Sequence, residues 1–266
     1  MNEAKIPVVM SIAGNDPTGG AGLQADIEAI SSMGCHAAPV VAALTVQDTA
    51  NVQAVMPVGA DVVIQQARAV LEDMPVDVIK LGLLGSVEVI EAVHTLLVDY
   101  PDLPVVLDPV LAAGGGRDLS DETIIDAMRT LLVPLATVIT PNSLEARRLA
   151  QGSDNLDAAA IALLDMGAEF VLVTGAHENT PDVHNVLYAN NRKLETFTWD
   201  RLDGSYHGSG CTLASAIAGL LAQGQQPLTA MHEAQEYTWQ ALSHGYRIGM
   251  GQLLPNRLFW AEAEEE

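Results

Sequence analysis

The sequence predicts an α/β fold, a mostly parallel central sheet with covering helices, and three observations carry that prediction. Short β-branched runs alternate with segments of helical periodicity along the 266-residue chain, the pattern of repeated strand–helix–strand units. The length and the 49% hydrophobic content can bury one large core, and suit a single α/β domain over residues 1–266 better than two small ones. Polar clusters recur just past the predicted strands, at Asn15-Asp16, Gln47-Asp48, Asp108 and Asn142, where open parallel sheets bind their ligands.

The first strand is predicted over residues 6–12, and a glycine-rich turn from Gly14 to Gly22 leads into a helix over 21–33, with Gly34 placed to close it as a C-cap glycine. Further strands are predicted over 36–43, 52–58, 76–81, 104–107, 137–140 and 170–174, with helices over 60–72, 87–100, 121–132, 143–150 and 158–166. Residues 183–199, broken by Asn190-Asn191, read as a β-hairpin. Helices over 210–222 and 229–248 complete the order, and no internal repeat or low-complexity linker interrupts it.

Charge narrows the function classes. The formal net charge is −22, with only three lysines (Lys5, Lys80, Lys193) among twelve basic residues. Such a surface repels nucleic acid and anionic membranes, so neither is an expected partner. Both an ordinary acidic enzyme and one adapted to a salty cytoplasm fit this balance. Salt shortens the Debye length from about 8 Å at physiological ionic strength, so stability measured from zero to molar salt separates the two. No stretch reaches roughly 18 uncharged apolar residues, so no membrane span is expected. Residues 1–7 lack a signal-like apolar run, and 8–13 is too short for one. Two cysteines, Cys35 and Cys211, provide no disulfide framework and suit a reducing cytoplasm. Glu262 and Glu264 to Glu266 read as a solvated tail.

Two glycine-rich turns carry the chemistry. The first contains Gly20-x-Gly22-x-x-Ala25, one form of the dinucleotide fingerprint, with Asp48 loosely where a ribose partner could sit. The same glycines could also serve close packing of a helix on its sheet. No Gly-x-x-x-x-Gly-Lys-Ser/Thr sequence is present, which excludes a P-loop. The second turn, His207-Gly208-Ser209-Gly210-Cys211-Thr212, opens an apolar helix. Backbone N–H groups at such a helix start face outward, where the helix dipole favours anions. Cys211 falls in that first turn, where its thiol pKa is expected to be lowered and the sulfur to gain some character as a base. A buried, inert cysteine also satisfies the spacing.

Taken together, the motifs resemble one family. Residues 11–26, from Ser11-Ile-Ala-Gly to Gln-Ala-Asp26, closely resemble the opening motif of the hydroxymethylpyrimidine/phosphomethylpyrimidine kinases. Ala43-Leu-Thr-Val-Gln-Asp-Thr49, Lys80-Leu-Gly-Leu-Leu-Gly85, Val106-Leu-Asp-Pro-Val110, Ile139-Thr-Pro-Asn142 with Glu145, and His207 to Thr212 follow in family order. The resemblance covers essentially the whole chain. It implies a three-layer α/β/α sandwich of the ribokinase-like superfamily, commonly a homodimer, that moves a phosphoryl group from ATP with Mg2+ to a pyrimidine alcohol in thiamine synthesis. It implies that Gln47 hydrogen-bonds the aminopyrimidine and that Asp26, Gly14 and Ala21 line the same pocket, with Leu83 where the family usually has a methionine. Cys211 matches the catalytic base, and the amides of Gly208, Ser209 and Gly210 match the anion hole. Asn142 and Glu145 match the region for magnesium and the ATP phosphates, with Asp108 a candidate for the metal shell.

Departures from the family pattern bear on the nucleotide. Leu111-Ala-Ala-Gly-Gly-Gly-Arg-Asp118 replaces a stretch that often carries a lysine, Thr174 stands at another usual lysine and Ala176 at a usual glycine. Phosphate neutralisation then depends more on metal, backbone amides and Arg117. Two other readings stand beside the pyrimidine kinase. One is a pyridoxal kinase of similar sequence; the other is a regulatory protein that binds the pyrimidine without transferring phosphate. A nicotinamide-dependent oxidoreductase rests only on residues 20–25.

Overall fold

The structure is a computed structural model and describes residues 5–112 and 119–262. Its strands are β1 (Val8–Asn15), β2 (His36–Gln47), β3 (Val52–Pro57), β4 (Val78–Leu81), β5 (Val105–Leu107), β6 (Val138–Ile139), β7 (Phe170–Val173), β8 (Asp182–Ala189) and β9 (Arg192–Asp200). They form one sheet in the order β3-β2-β1-β4-β5-β6-β7-β8-β9. Pairing is parallel from β2 through β7 and antiparallel for β3, β8 and β9 at the two edges. The chain leaves β1 toward β2 and returns to β4 on the other side. A crevice therefore opens between the carboxyl ends of β1 and β4.

Both faces of the sheet are covered. Helices α1 (Gly22–Ser32), α7 (Ser209–Ala222) and α8 (Pro227–Ser243) bring Ile30, Leu213, Ile217 and Met231 onto Val9, Val78, Val106, Val138 and Leu172. On the opposite face lie α2 (Ala60–Asp73), α3 (Val87–Asp99), α4 (Glu122–Ala127), α5 (Ser143–Leu149) and α6 (Leu156–Asp165). There Val63, Val93, Ala146 and Leu163 pack on Met10, Ile12, Ile79, Leu107, Ile139 and Val171. Successive strand residues point to opposite layers, and both sets are apolar because neither face meets water. Ser11 and Lys80 break that rule. They share the α1/α7 side with Val9 and Val78, yet both are wholly buried.

The predicted elements are present with shifted edges. β2 runs four residues past its predicted end at 43, because β3 pairs with it from Ala43 to Gln47. This puts Gln47 on a strand instead of in a loop. The helix predicted over 121–132 is broken: α4 gives way to a π-turn over Met128–Leu132 and a 3-10 turn over Val133–Leu135, with Pro134 inside it. The hairpin turn places Asn190 and Asn191 at φ 52° and 53°, the left-handed pair that a two-residue connection requires. The last helix starts at Pro227, a favoured first position, and stops at Ser243, five residues before the predicted end.

Candidate active site

A cavity of about 1020 Å³ runs across the carboxyl ends of the parallel strands. Single-ligand pockets usually measure about 300–1,000 Å³, so this one can hold two small molecules. Gly14, Gln47 and Leu83 line one end; Asn185, Trp199, Gln235 and Trp239 line the other; the start of α7 lies along the wall between them. The far end is fixed by its own hydrogen bonds: Gln235 Oε1 accepts from Asn185 Nδ2 at 2.9 Å and from Trp199 Nε1 at 3.2 Å.

The two glycine turns are fastened to each other. Asp16 organises the first, accepting from Thr18 N–H at 2.8 Å, Thr18 Oγ1 at 2.9 Å and Ala21 N–H at 2.8 Å. The Nε2 of His207, the first residue of the second turn, lies 2.8 Å from the same carboxylate. Buried Arg257 makes the other fastening. Its guanidinium reaches Thr212 Oγ1 at 2.8 Å, Glu28 at 3.0 Å and the carbonyls of Gly19 and Gly20. Gly208 takes φ +81°, and a Cβ there would sit 2.0 Å from the Gly20 carbonyl oxygen. Only glycine permits this left-handed, close approach.

Burial alone would raise the Asp16 pKa, but the hydrogen bonds from His207 and Thr18 and the charge interaction with His207 outweigh it and hold the carboxyl below its ordinary range. Its stabilising contribution is therefore complete above about pH 3.9 and is lost as pH falls through the depressed folded-state value. Asp16→Asn is expected to cost about 1–3 kcal/mol at pH 7, with the gap narrowing toward pH 3. Urea midpoints at the two pH values check this, and an undiminished gap in acid refutes it.

At the head of α7, the amides of Gly208, Ser209, Gly210 and Cys211 have no protein acceptor among the described residues, and all four residues line the cavity. Four free N–H groups at a helix start make an anion nest. Cys211 faces the same space, but its thiol does not have the lowered pKa expected from the helix start. Burial pushes the pKa up, the Asp108 charge pushes it further, and Lys80 only partly offsets them. The dipole of a single helix end does not outweigh desolvation beside a carboxylate. Asp108 is itself buried, with burial raising its pKa against the pull of Lys80. The Cys211 side chain also lowers that pKa by hydrogen bonding to this carboxylate, whose Oδ2 has no hydrogen-bond partner among the described residues.

Asp26 does not line the cavity, contrary to the expectation from the motif. It is completely buried behind the wall. Its Oδ1 accepts from Lys80 Nζ at 2.8 Å and Ser215 Oγ at 2.7 Å, and its Oδ2 from Ser11 Oγ at 2.6 Å. The α1 helix places residue 26 toward the sheet, so its carboxylate serves the buried ammonium instead of a ligand. Gln47, Gly14, Ala21 and Leu83 do lie on the wall, with Leu83 close against Gly14. Asp48 is exposed and accepts from the N–H groups of Ala50 and Asn51, both at 2.8 Å. It closes the β2–β3 turn and leaves the dinucleotide fingerprint without its acidic partner.

Asn142 and Glu145 form a capping box at the start of α5. Asn142 Oδ1 accepts from the N–H groups of Leu144 and Glu145, and Glu145 Oε2 accepts from Asn142 N–H at 2.9 Å. Both residues also line the cavity. Burial pushes the Glu145 carboxyl up to about 8, and the Asp108 charge adds to the shift against the Asn142 and Leu111 N–H groups and Arg148. Among the described residues no group of three or more His, Cys, Asp or Glu side chains is placed to hold a metal ion. Of the cavity-lining arginines, Arg147 pairs with Glu178 at 2.9 Å, and Arg201 grips the carbonyls of Ala176, Glu178 and Thr180 at 2.9 Å each. Arg117 and the 264–266 tail lie outside the described residues.

Sheet order, helical layers and a cavity at the strand ends define a three-layer α/β/α protein, and the solved kinases it superposes on place that fold in the ribokinase-like class. The family model described as phosphomethylpyrimidine kinase matches residues 16–256, and the chain belongs to that family. It is 36% identical over 250 residues to the hydroxymethylpyrimidine/phosphomethylpyrimidine kinase of Streptomyces coelicolor, with 92% of each chain covered. It is 37% identical over 259 residues to the thiamine biosynthesis bifunctional protein ThiED of Geobacter sulfurreducens. That match covers 96% of this chain, which spans about half (53%) of that relative's length. Among solved structures, the ADP complex of Bacillus subtilis pyridoxal kinase superposes with a TM-score of 0.88 at 28% identity, covering 97% of this chain and 99% of that one. No helix among the described residues is long and apolar enough to cross a membrane.

Proposed function

We propose that the protein phosphorylates 4-amino-5-hydroxymethyl-2-methylpyrimidine, its monophosphate, or both, taking the γ-phosphoryl group from ATP in thiamine synthesis. The observation that carries this reading is the set of four unpaired amides at Gly208–Cys211, with the Cys211 thiol among them, on the wall of a cavity that has room for two ligands. Phosphoryl transfer is mainly positioning and electrostatic stabilisation, and such a nest can receive the charge that spreads over the transferred oxygens. Gln47, at the near end, offers both an acceptor and a donor to an aminopyrimidine, and Leu83 with Gly14 gives the ring a flat apolar seat. The hydroxymethyl oxygen takes the phosphorus, its proton goes to the Cys211 sulfur, and ADP leaves. The proton-accepting form of that sulfur is the thiolate, which Lys80 favours and the Asp108 charge opposes.

Magnesium fits the residues present. The unpaired Asp108 Oδ2 and the raised carboxyl of Glu145 are hard oxygen donors that repel each other. Two carboxylates completed by water and phosphate oxygens are an ordinary arrangement for this ion. Bound there, it would supply positive charge to the phosphates and offset the Asp108 charge beside the thiol. The chain's own part is to hold both carboxylates in place, Glu145 through its cap and Asp108 at the end of β5.

The test is ADP formation by purified protein with ATP, magnesium and either the pyrimidine or pyridoxal. Preference for the pyrimidine supports the reading. Preference for pyridoxal favours the second one, which the superposition on a pyridoxal kinase motivates. Tight pyrimidine binding without ADP marks a regulatory binder. Gln47→Leu is expected to raise the KM for the pyrimidine roughly 10–100-fold, the cost of an unpaired buried polar group, with kcat changed by less than about threefold; a large kcat loss at constant KM would reassign the residue. We also propose a cytoplasmic homodimer. Leu44, Val46 and Met56 on the outer side of the β2–β3 ribbon are 45%, 43% and 48% exposed, and covering them suits a second copy.

A further inference from the structure

Close to the nest lies a buried charge that the reaction uses only through its pull on the Cys211 sulfur. Lys80 sits near the end of β4 with no solvent exposure, and its Nζ forms an ion pair with Asp26 Oδ1 at 2.8 Å. The second carboxylate near it is Asp108, whose Oδ2 lies 3.9 Å away and has no hydrogen-bond partner among the described residues. Asp26 is committed elsewhere: it also takes the hydroxyls of Ser11 and Ser215, so β1, β4, α1 and α7 all meet at this one carboxylate. Its ion pair fixes the ammonium from behind and leaves two of its three N–H donors for other acceptors. Space is reserved beside it, since a Cβ on Gly82 would come within 2.8 Å of Nζ.

The charges do not balance locally. Lys80 carries one positive charge against Asp26 and Asp108, with Glu145 close enough to Asp108 to feel its charge. A lysine present only to neutralise a core carboxylate would need neither the second carboxylate nor the clearance at Gly82. We propose that Lys80 is a positioning residue for phosphoryl transfer: anchored by Asp26, it holds the Asp108 carboxylate, and through it the neighbouring Cys211 side chain, against the floor of the nest. The proposal rests on the kinase reading. It assigns Asp26 a supporting part behind the wall.

Lys80→Met alone would leave Asp26 buried without its counter-ion, and such losses can unfold a protein. The informative variant is therefore Lys80→Met with Asp26→Asn. It removes one charge of each sign and keeps a polar group facing both serines: the amide oxygen accepts from one hydroxyl, and the amide N–H donates to the other. Expected are a thermal midpoint close to the parent's, a dissociation constant for the pyrimidine by calorimetry within about threefold, and kcat reduced roughly 100-fold or more. Full turnover in a stable double variant would show the pair to be structural only and overturn the proposal. Parent protein that makes no ADP with either alcohol overturns the kinase reading instead, and that result comes from a separate measurement on unmutated protein.

Discussion

Cys211→Ala is expected to lower kcat by roughly 10²–10⁴, the usual share of a positioned base, and to leave the KM for the pyrimidine within a few-fold. The side chain lies in the first turn of α7 and lines the cavity together with the free amides of Gly208–Cys211. Deleting the sulfur should leave those amides in place, because Gly208 and the Arg257–Thr212 contact set the start of the helix. The anion nest should therefore keep a residual activity well above the uncatalysed rate. Single-turnover measurement separates the chemical step from product release. A variant with near-normal turnover would remove the sulfur from the mechanism and leave the nest to act alone.

The second large effect is expected far along the chain from the motifs. Arg257→Ala should cost about 2–4 kcal/mol, because it leaves the carbonyls of Gly19 and Gly20 and the partly exposed Glu28 facing an unfilled site. It should also lower kcat more than it raises either KM, since the lost contacts are those that hold the Gly19-Gly20 carbonyls against the start of α7. Arg257→Lys should recover part of the stability but less of the rate, because an ammonium cannot reproduce the planar fork that reaches Thr212, Glu28 and Gly20 together. Urea denaturation with steady-state kinetics on both variants checks this. Equal recovery of stability and rate by lysine would reduce the residue to a core ion pair.

Arg257 also shows where sequence reasoning stopped. The alternation of strands and helices was legible because period-2 and period-3.6 patterns are local. The asparagine pair at the hairpin and the glycine at 208 announce their backbone geometry directly. The six ordered motifs brought Gln47, Cys211, Asn142 and Glu145 into view, and all of them line one cavity. What sequence could not give was the partner of each polar group. Asp26 lies in the opening motif, yet its direction depends on the packing of α1 on a strand that holds a lysine 54 residues later. Arg257 lies 45 residues beyond Thr212, two positions past the stretch from Gly249 to Pro255 that keeps only part of the family's closing pattern. The thiol of Cys211 departs from the lowered pKa that its helix start predicts for a related reason: a helix start is a local feature, whereas burial beside Asp108 is a tertiary one that outweighs it.

The β2–β3 ribbon joins an inside to an outside at single-residue spacing. Thr45 and Gln47 look into the cavity, while Leu44 and Val46, which alternate with them, look away from it, with Met56 paired opposite Leu44. A pleated strand cannot turn one of these side chains without turning its neighbours. A partner seated on the outer surface would therefore press on the same strand that carries Gln47, the side chain proposed to hold the ring, and would tie binding of the small molecule to association of the protein.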